Sequence, residues 1–145
     1  MIDINYVLLE EDGCKGIAPI RMTDDASCYD LSLPKDVWLP PHRIATIPLL
    51  IAFDVLTPGY DIELFPRSSL QTKYGVLSST SIIDSDYKRG IHAILFNTGC
   101  EVLKLLRGMR IVQFKVVLKH DISLVEVEHI KDTGRGGLGS TDDKR

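Results

Sequence analysis

A regular series of turn signals constrains the fold of this chain more than any other feature of its sequence. The dipeptides that form the series are Asp12-Gly13, Pro40-Pro41, Pro58-Gly59, Thr98-Gly99 and Arg107-Gly108. Between them lie short runs rich in Val, Ile, Leu, Phe and Tyr, which predict strands at 6–10, 43–53, 60–65, 91–97, 110–118 and 123–129. Short strands at this spacing favour an all-β sandwich or barrel over alternating strands and helices.

Two segments differ from this strand pattern. Residues 68–74 (SSLQTKY) predict the one short helix, which Ser68 or Ser69 could cap and Gly75 could end. Residues 131–145 (KDTGRGGLGSTDDKR) are polar and glycine-rich, and by themselves they fit a frayed tail as well as a functional arm. We therefore expect one β-domain over 1–130, followed by a C-terminal segment over 131–145.

The overall composition narrows the class of protein. A chain of 145 residues with 44% hydrophobic residues is long enough for a single core. The net charge of −3 does not predict a nucleic-acid surface. The longest apolar run, 44–55, is interrupted by Thr46, Pro48 and Asp54, and the acidic N-terminus does not resemble a signal peptide. We expect a cytoplasmic protein that binds neither membranes nor nucleic acids.

Five polar stretches are set among strand-like or glycine-rich residues. They are ASCYDL (26–31), FPRSSL (65–70), SIIDSDYKRG (81–90), GMRIVQ (108–113) and RGGLGST (135–141). None is specific by itself. The third, with two aspartates beside an aromatic ring, fits either a charged turn after a strand or a catalytic carboxylate. Three cysteines and four histidines are scattered along the chain and do not predict a metal cluster.

In this order and spacing, the five stretches resemble the five motifs of the trimeric dUTP pyrophosphatases, or dUTPases. The resemblance runs from about Ala18 to Thr141, and it includes LPPHRIATIPLLIAFDVLTPGYDIEL before the second motif and ILFNTG after the third. It implies an all-β, distorted jelly roll of short antiparallel strands with one short helix, assembled as a homotrimer with threefold symmetry. It also implies hydrolysis of dUTP to dUMP and pyrophosphate, which would lower dUTP and supply dUMP for thymidylate synthesis.

The resemblance implies catalytic roles for two residues. Asp84 would be the general base that holds a water in line with the α-phosphorus, and a carboxylate suits this task because it is ionised at pH 7. Gln113 would donate to the phosphate chain or position that water. Tyr87 would pack under the deoxyribose and leave no room for a 2′-hydroxyl. Asp86 would be structural or would support the site residues from behind, and Arg110 would make an intersubunit or structural contact.

The resemblance also implies contacts to the phosphates, whose oxygens need cations and aimed donors. Arg67, with Ser68 and Ser69 at the start of the helix, would meet the α- and β-phosphates. Magnesium would be held mainly by the three phosphates and by waters, and Asp30 would at most orient one of these waters. Uracil would be recognised by backbone groups of residues 77–81, which include Ser81.

The C-terminal motif would form an arm that closes over the nucleotide, often from a neighbouring subunit. Arg135 would reach the γ-phosphate as a bidentate fork. Ser140 and Thr141 would lie near it, while Gly139 would let the backbone approach the ligand. Leu138 would cover the base.

The chain departs from the family pattern at four places. Cys28 and Ser81 stand where glycine is usual, and Lys88-Arg89-Gly90 replaces the usual Arg-Gly-Glu. The last motif is two residues shorter, with Leu138 in place of the phenylalanine that stacks on uracil. These departures leave the base affinity and the geometry of the turn after Tyr87 open.

Three alternatives compete with a dUTPase. A dCTP deaminase shares the fold, but it has a glutamate where HAILFNTG places Ile94, and this argues against deamination. A pyrophosphatase that acts on dCTP or on both nucleotides remains open. A nucleotide-binding or regulatory protein with weak or lost catalysis would not need Asp84.

Overall fold

The structure is a computed structural model that describes residues 1–134. It contains thirteen strands and one helix within these residues: β1 (Ile4–Leu8), β2 (Glu10–Glu11), β3 (Cys14–Lys15), β4 (Tyr29–Ser32), β5 (Val37–Leu39), β6 (Ile44–Pro48), β7 (Ile51–Val55), β8 (Tyr60–Pro66), α1 (Ser68–Tyr74), β9 (Val76–Ser78), β10 (Ser81–Ile83), β11 (His92–Asn97), β12 (Leu103–Leu105) and β13 (Arg110–Leu118). The predicted all-β architecture is confirmed. No helix in this part of the chain is long and apolar enough to cross a membrane.

The strands form antiparallel sheets whose inner faces meet in one core. The largest has the order β10-β8-β13-β4, and a second has the order β6-β11-β9. Two-stranded sheets join β1 to β7, β5 to β12 and β2 to β3. Leu64 from the first sheet and Leu95 from the second are at most 1% exposed, and each such side chain contributes roughly 1.5–3 kcal/mol by leaving water. This core fixes the positions of the strands and loops that carry the first four of the predicted motifs.

The predicted helix forms over Ser68–Tyr74 and ends as expected. Gly75 adopts a left-handed φ of 63°, and its N–H donates to the carbonyl of Gln71. The predicted serine cap is wrong, because Arg67 is the N-terminal cap residue in extended conformation and no side chain bonds there. Leu70 anchors the helix in the core.

The strand predicted over 43–53 is two strands. Leu50 has a φ of 53°, so the chain turns between β6 and β7, and the two strands join different sheets. The Leu50 carbonyl accepts the Leu9 N–H, and a Cβ at Gly16 would lie 1.9 Å from that oxygen. Glycine is therefore required at position 16.

The strand predicted over 123–129 is wrong for the described chain. This segment belongs to no strand, and Leu124 and Ile130 are 87% and 88% exposed. Its alternation of apolar and acidic residues is typical of a strand with one buried face. A strand needs a partner for its backbone groups, and none of residues 1–134 supplies one here.

Candidate functional site

The turn that follows β10 carries the two residues expected to act on the nucleoside. It begins at Asp84, whose carbonyl accepts the Tyr87 N–H at 2.9 Å. Asp84 is exposed, and Tyr87 is 40% exposed with its hydroxyl donating to the carbonyl of Gly90 at 3.2 Å. The aspartate and the ring are thus presented by one tight turn at the end of a strand.

Two carboxylates and a lysine hold this turn. Asp61, on β8 and 8% exposed, accepts the Ser85 N–H at 2.8 Å. Lys88 donates to the carbonyl of Ser85 at 2.6 Å and to Asp54 on β7 at 2.5 Å. Both backbone groups of Ser85 are therefore bound. Its N–H bonds directly to β8, and its carbonyl is linked through Lys88 to β7, which lies in a different sheet.

A groove of about 270 Å³ lies beside the turn. Asp84 and Tyr87 line it together with Ser81, His92 and Ile94. Ile94 points an alkyl group, not a carboxylate, into this groove. Three of the residues predicted for the nucleoside therefore share one concave surface.

A second group of predicted residues forms a buried cluster of charges. Asp30 is 6% exposed, and its Oδ1 accepts from Arg67 Nε at 2.9 Å while its Oδ2 accepts from Arg110 Nη1 at 2.9 Å. Arg67 Nη1 donates to the carbonyl of Arg110 at 2.8 Å. Gln113 Nε2 donates to the carbonyl of Pro66 at 3.0 Å. Each side chain is thus fixed by bonds within the protein.

The pairing of three strands brings this cluster together. Gln113 on β13 lies opposite Asp30 on β4 and opposite Phe65 on β8. Residues directly opposite on neighbouring strands share a face of the sheet, and Arg67 follows Phe65 by two positions. Asp30, Arg67 and Gln113 line one cavity of about 320 Å³ with Cys28.

The serines of the second motif are less enclosed. Ser68 is exposed, and its carbonyl accepts the hydroxyl of Thr72 at 3.0 Å. Ser69 lines a different cavity, of about 230 Å³, with Arg67 and Arg110.

The two groups lie at opposite ends of β8. Ile83 pairs with Ile62, and Ser85 is bonded to Asp61, so Asp84 lies level with position 61. Arg67 lies six residues further along the chain, which is roughly 20 Å at the rise of a β-strand. In one protomer, Asp84 and Arg67 therefore project from backbone positions that are roughly 20 Å apart.

Part of the predicted site lies outside the described residues. Arg135, Leu138, Gly139, Ser140 and Thr141 belong to this part. Within residues 1–134, no group of three or more His, Cys, Asp or Glu side chains could hold a metal ion.

Sequence reasoning missed Asp61, Asp54 and the link that Lys88 makes to them. A charged residue inside the apolar run of β8 is a signal for Asp61, because a buried carboxylate needs a partner. The Lys88 link has no comparable signal, since Asp54 lies 34 residues away in the sequence.

Comparison with solved structures first identifies the fold as the jelly roll of the dUTPases. The dUTPase of Staphylococcus bacteriophage 80alpha with dUPNHPP matches with a TM-score of 0.83 and 21% identity, over 95% of this chain and 97% of the phage chain. A mutant dUTPase of phage phi11 of S. aureus, described as showing the coordination of a structural Mg(II) ion, matches with a TM-score of 0.78 and 19% identity, over 90% and 99%.

Comparison of sequences then shows the family. The dUTPase family model matches residues 15–142. Deoxyuridine 5'-triphosphate nucleotidohydrolases from Gloeothece citriformis and Nautilia profundicola are 36% and 34% identical to this chain. The first match covers 86% of this chain and 88% of the relative, and the second covers 88% and 92%. The chain belongs to the dUTPase family.

Proposed function

We propose that this protein hydrolyses dUTP to dUMP and pyrophosphate. Its relatives are named deoxyuridine 5'-triphosphate nucleotidohydrolases. Its sequence also contains the residues predicted from the family motifs, which are Arg67, Ser68, Asp84, Tyr87, Gln113 and Arg135. The observation that carries the proposal is the groove in which Asp84 and Tyr87 lie side by side. An exposed carboxylate next to an aromatic ring can activate a water beside a sugar that stacks on the ring.

Asp84 acts as the general base. Its carboxylate accepts a proton from a water as that water attacks the α-phosphorus. Tyr87 covers the face of the deoxyribose and excludes a 2′-hydroxyl by its bulk. Ile94 supports this choice of reaction, because it places no acid where a deaminase would need one.

The arginine cluster receives the phosphates. Asp30 holds Arg67 in one orientation, which lowers the entropy that a phosphate contact would otherwise cost. Ser68 and Ser69 offer hydroxyls beside it. The amide of Gln113 donates one N–H to Pro66, and its second N–H remains for a phosphate or for the attacking water.

Magnesium fits this site as an ion carried by the nucleotide. Both Asp30 oxygens accept bonds from arginines, and the described residues contain no cluster of ligands. Phosphate oxygens and waters would therefore hold the ion, with Asp30 orienting a water at most. When bound, Mg²⁺ neutralises charge on the phosphate oxygens.

The active assembly is a homotrimer with sites between subunits. The separation of roughly 20 Å along β8 supports this, because Asp84 of one copy and Arg67 of another can meet one triphosphate. The outer face of the β6-β11-β9 sheet also exposes an apolar row of Ile44, Leu77 and Ile94 next to the Asp84 groove. A second copy would bury this row.

The C-terminal arm, residues 131–145, closes over the bound nucleotide. Arg135 contacts the γ-phosphate and Leu138 covers the base, while Gly139, Ser140 and Thr141 complete the phosphate contacts. In the cytoplasm this enzyme lowers dUTP and supplies dUMP for thymidylate synthesis.

The test is pyrophosphate release from dUTP, dCTP, UTP and dTTP with Mg²⁺. We expect release from dUTP, and a loss of roughly a hundredfold or more in the Asp84→Asn variant. Asp86→Asn is the matched control, since Asp86 is exposed on the same turn and should keep near-normal turnover. Release from dCTP would indicate the broader pyrophosphatase. Nucleotide binding without release from any substrate would indicate a binding or regulatory protein.

A further inference from the structure

The turn that carries Asp84 and Tyr87 has few bonds to the rest of the protein. Within residues 84–90 its internal bonds are three: the Tyr87 N–H donates to the Asp84 carbonyl, the Tyr87 hydroxyl donates to the Gly90 carbonyl, and the Lys88 ammonium donates to the Ser85 carbonyl. Its bonds to the sheets are made through Ser85 and Lys88. The position of the catalytic carboxylate therefore depends on these two residues.

Lys88 differs from an ordinary surface lysine in what its ammonium group contacts. One bond goes back to the turn itself, to the carbonyl of Ser85 at 2.6 Å, and one goes to Asp54 at 2.5 Å. The Ser85 carbonyl, in the peptide unit that joins Ser85 to Asp86, is thus linked through Lys88 to β7. The Ser85 N–H, in the peptide unit that joins Asp84 to Ser85, is bonded to Asp61 on β8. The turn is held from two strands that pair in different sheets.

The ion pair itself adds little to the stability of the fold. The side chains of Lys88 and Asp54 are 49% and 48% exposed, and ion pairs at such exposure contribute little to global stability. Its effect is local, because the charged Lys88 ammonium holds the carbonyl of Ser85, the residue that directly follows Asp84.

We infer that Lys88, anchored by Asp54, is a positioning residue that holds Asp84 and Tyr87 in the geometry needed for hydrolysis. This inference rests on the proposed function. Lys88 does not line the groove that contains Asp84 and Tyr87, and it acts by fixing the Ser85 carbonyl. Loss of its ammonium group frees the turn and misplaces the base and the ring together.

The test compares Lys88→Met, Lys88→Arg and Asp54→Asn in the full chain. Lys88→Met keeps the length of the side chain, and we expect kcat for dUTP to fall between about tenfold and a hundredfold, with a smaller change in KM. Lys88→Arg should recover most of the loss. Asp54→Asn should lower kcat by a smaller factor than Lys88→Met. The double variant should have the same kcat as Lys88→Met, because both substitutions break the same Lys88–Asp54 ion pair.

Lys104→Met is the matched control. Lys104 pairs with Asp36 at 3.1 Å, and both side chains are 44% exposed, but this pair lies on the β5-β12 sheet away from the turn. All variants should melt within a few degrees of the wild type. An unchanged kcat in Lys88→Met, or an equal loss in Lys104→Met, would overturn the inference.

Binding of non-hydrolysable analogues separates this inference from the proposed function. If the wild type releases no pyrophosphate, the proposed function fails. The ratio of Kd values for imido-dUTP and imido-UTP then still reports on Tyr87. We expect Lys88→Met to lower this discrimination and Lys104→Met to leave it unchanged, and equal ratios in wild type and Lys88→Met would contradict the inference.

Discussion

The two ends of β8 hold the two halves of the proposed site in different ways. At the end that leads into α1, the Arg67 side chain is 18% exposed and bonds to both Asp30 and the Arg110 carbonyl. At the other end, Asp84 is exposed on a turn whose Ser85 backbone groups are hydrogen-bonded to Asp61 and Lys88. The Arg67 half is a largely buried cluster whose side chains bond to one another within the protomer. The Asp84 half is exposed to solvent at the end of the sheet.

This difference matches what each half must do. A phosphate site gains from cations that are oriented in advance, because their reorganisation would otherwise oppose the reaction. A general base must reach a water, so it needs an accessible carboxylate whose surroundings are completed when substrate arrives. In the proposed trimer, one protomer would supply the oriented cations and another copy would enclose the base.

The largest expected effect comes from mixing two inactive variants. Asp84→Asn and Arg67→Gln should each retain below about 1% of turnover as pure trimers. Trimers assembled from an equal mixture should recover about a quarter of wild-type activity, because a site between two copies pairs an intact Asp84 with an intact Arg67 in that fraction of cases.

The mixing experiment requires that both pure variants form trimers, which sedimentation can establish. Gln113→Leu can replace Arg67→Gln as the second partner if the arginine variant does not assemble. Mixed trimers without recovered activity would show that Asp84 and Arg67 serve a site within one chain, and the contrast between the ends of β8 would lose its functional meaning.

The next effect concerns the buried cluster. Asp30→Asn removes the charge that pairs with Arg67 and Arg110, and we expect the free energy of unfolding to fall by about 3 kcal/mol. Urea unfolding at fixed protein concentration measures this. Asp84→Asn is the control and should change stability by less than about 0.5 kcal/mol, because it is an exposed position. An equal decrease in the free energy of unfolding in Asp30→Asn and Asp84→Asn would contradict the distinction between a buried Arg67 cluster and an exposed Asp84 turn.

Local patterns in the sequence predicted the elements whose structure is determined locally. The helix over Ser68–Tyr74 and the strand Arg110–Leu118 were predicted with the observed bounds. The prediction over 123–129 failed because a strand pattern specifies one apolar face but not the partner that covers it. The split of 43–53 was missed because Leu50 adopts a positive φ, for which no glycine or asparagine gave a signal.

The site was predicted as a set of residues but not as an arrangement. The motifs identified Asp30, Arg67 and Gln113, yet only the pairing of three strands shows that they share a face. The role of Asp30 in orienting a magnesium-bound water stays a prediction. Its bonds to Arg67 and Arg110 join residues that are 37 and 80 positions apart in the sequence. Such long-range contacts leave no periodic trace in the chain.

A smaller effect is expected for the open half. Tyr87→Ala should lower the ratio of kcat/KM for dUTP over UTP by roughly tenfold to a hundredfold, because the ring no longer excludes the 2′-hydroxyl. Tyr87→Phe is the control, since it removes only the hydroxyl that donates to Gly90 at 3.2 Å, and it should keep the ratio within a few-fold. An unchanged ratio of kcat/KM for dUTP over UTP in Tyr87→Ala would show that the Tyr87 ring does not exclude the 2′-hydroxyl.

The smallest effect lies away from both halves, at Asp36. The N–H of Arg107 at 2.9 Å, and then the ammonium of Lys104, lower the pKa of Asp36 below its ordinary value of 3.8. Because this pKa is lower in the folded than in the unfolded chain, the stabilisation is complete above about pH 4 and is lost as the pH falls through the folded value.

Asp36→Asn should therefore lower the urea midpoint slightly at pH 7, and the difference from wild type should shrink below about pH 4. Lys104→Met removes only the second cause of the lowered pKa, so it should lose less and converge in the same range. A difference between wild type and Asp36→Asn that stays constant to low pH would show that the carboxylate charge is not what stabilises this loop. Neither variant should alter turnover. The Asp36–Lys104 pair lies beside the β5-β12 sheet, and it lines neither the groove that contains Asp84 nor the cavity that contains Asp30, Arg67 and Gln113.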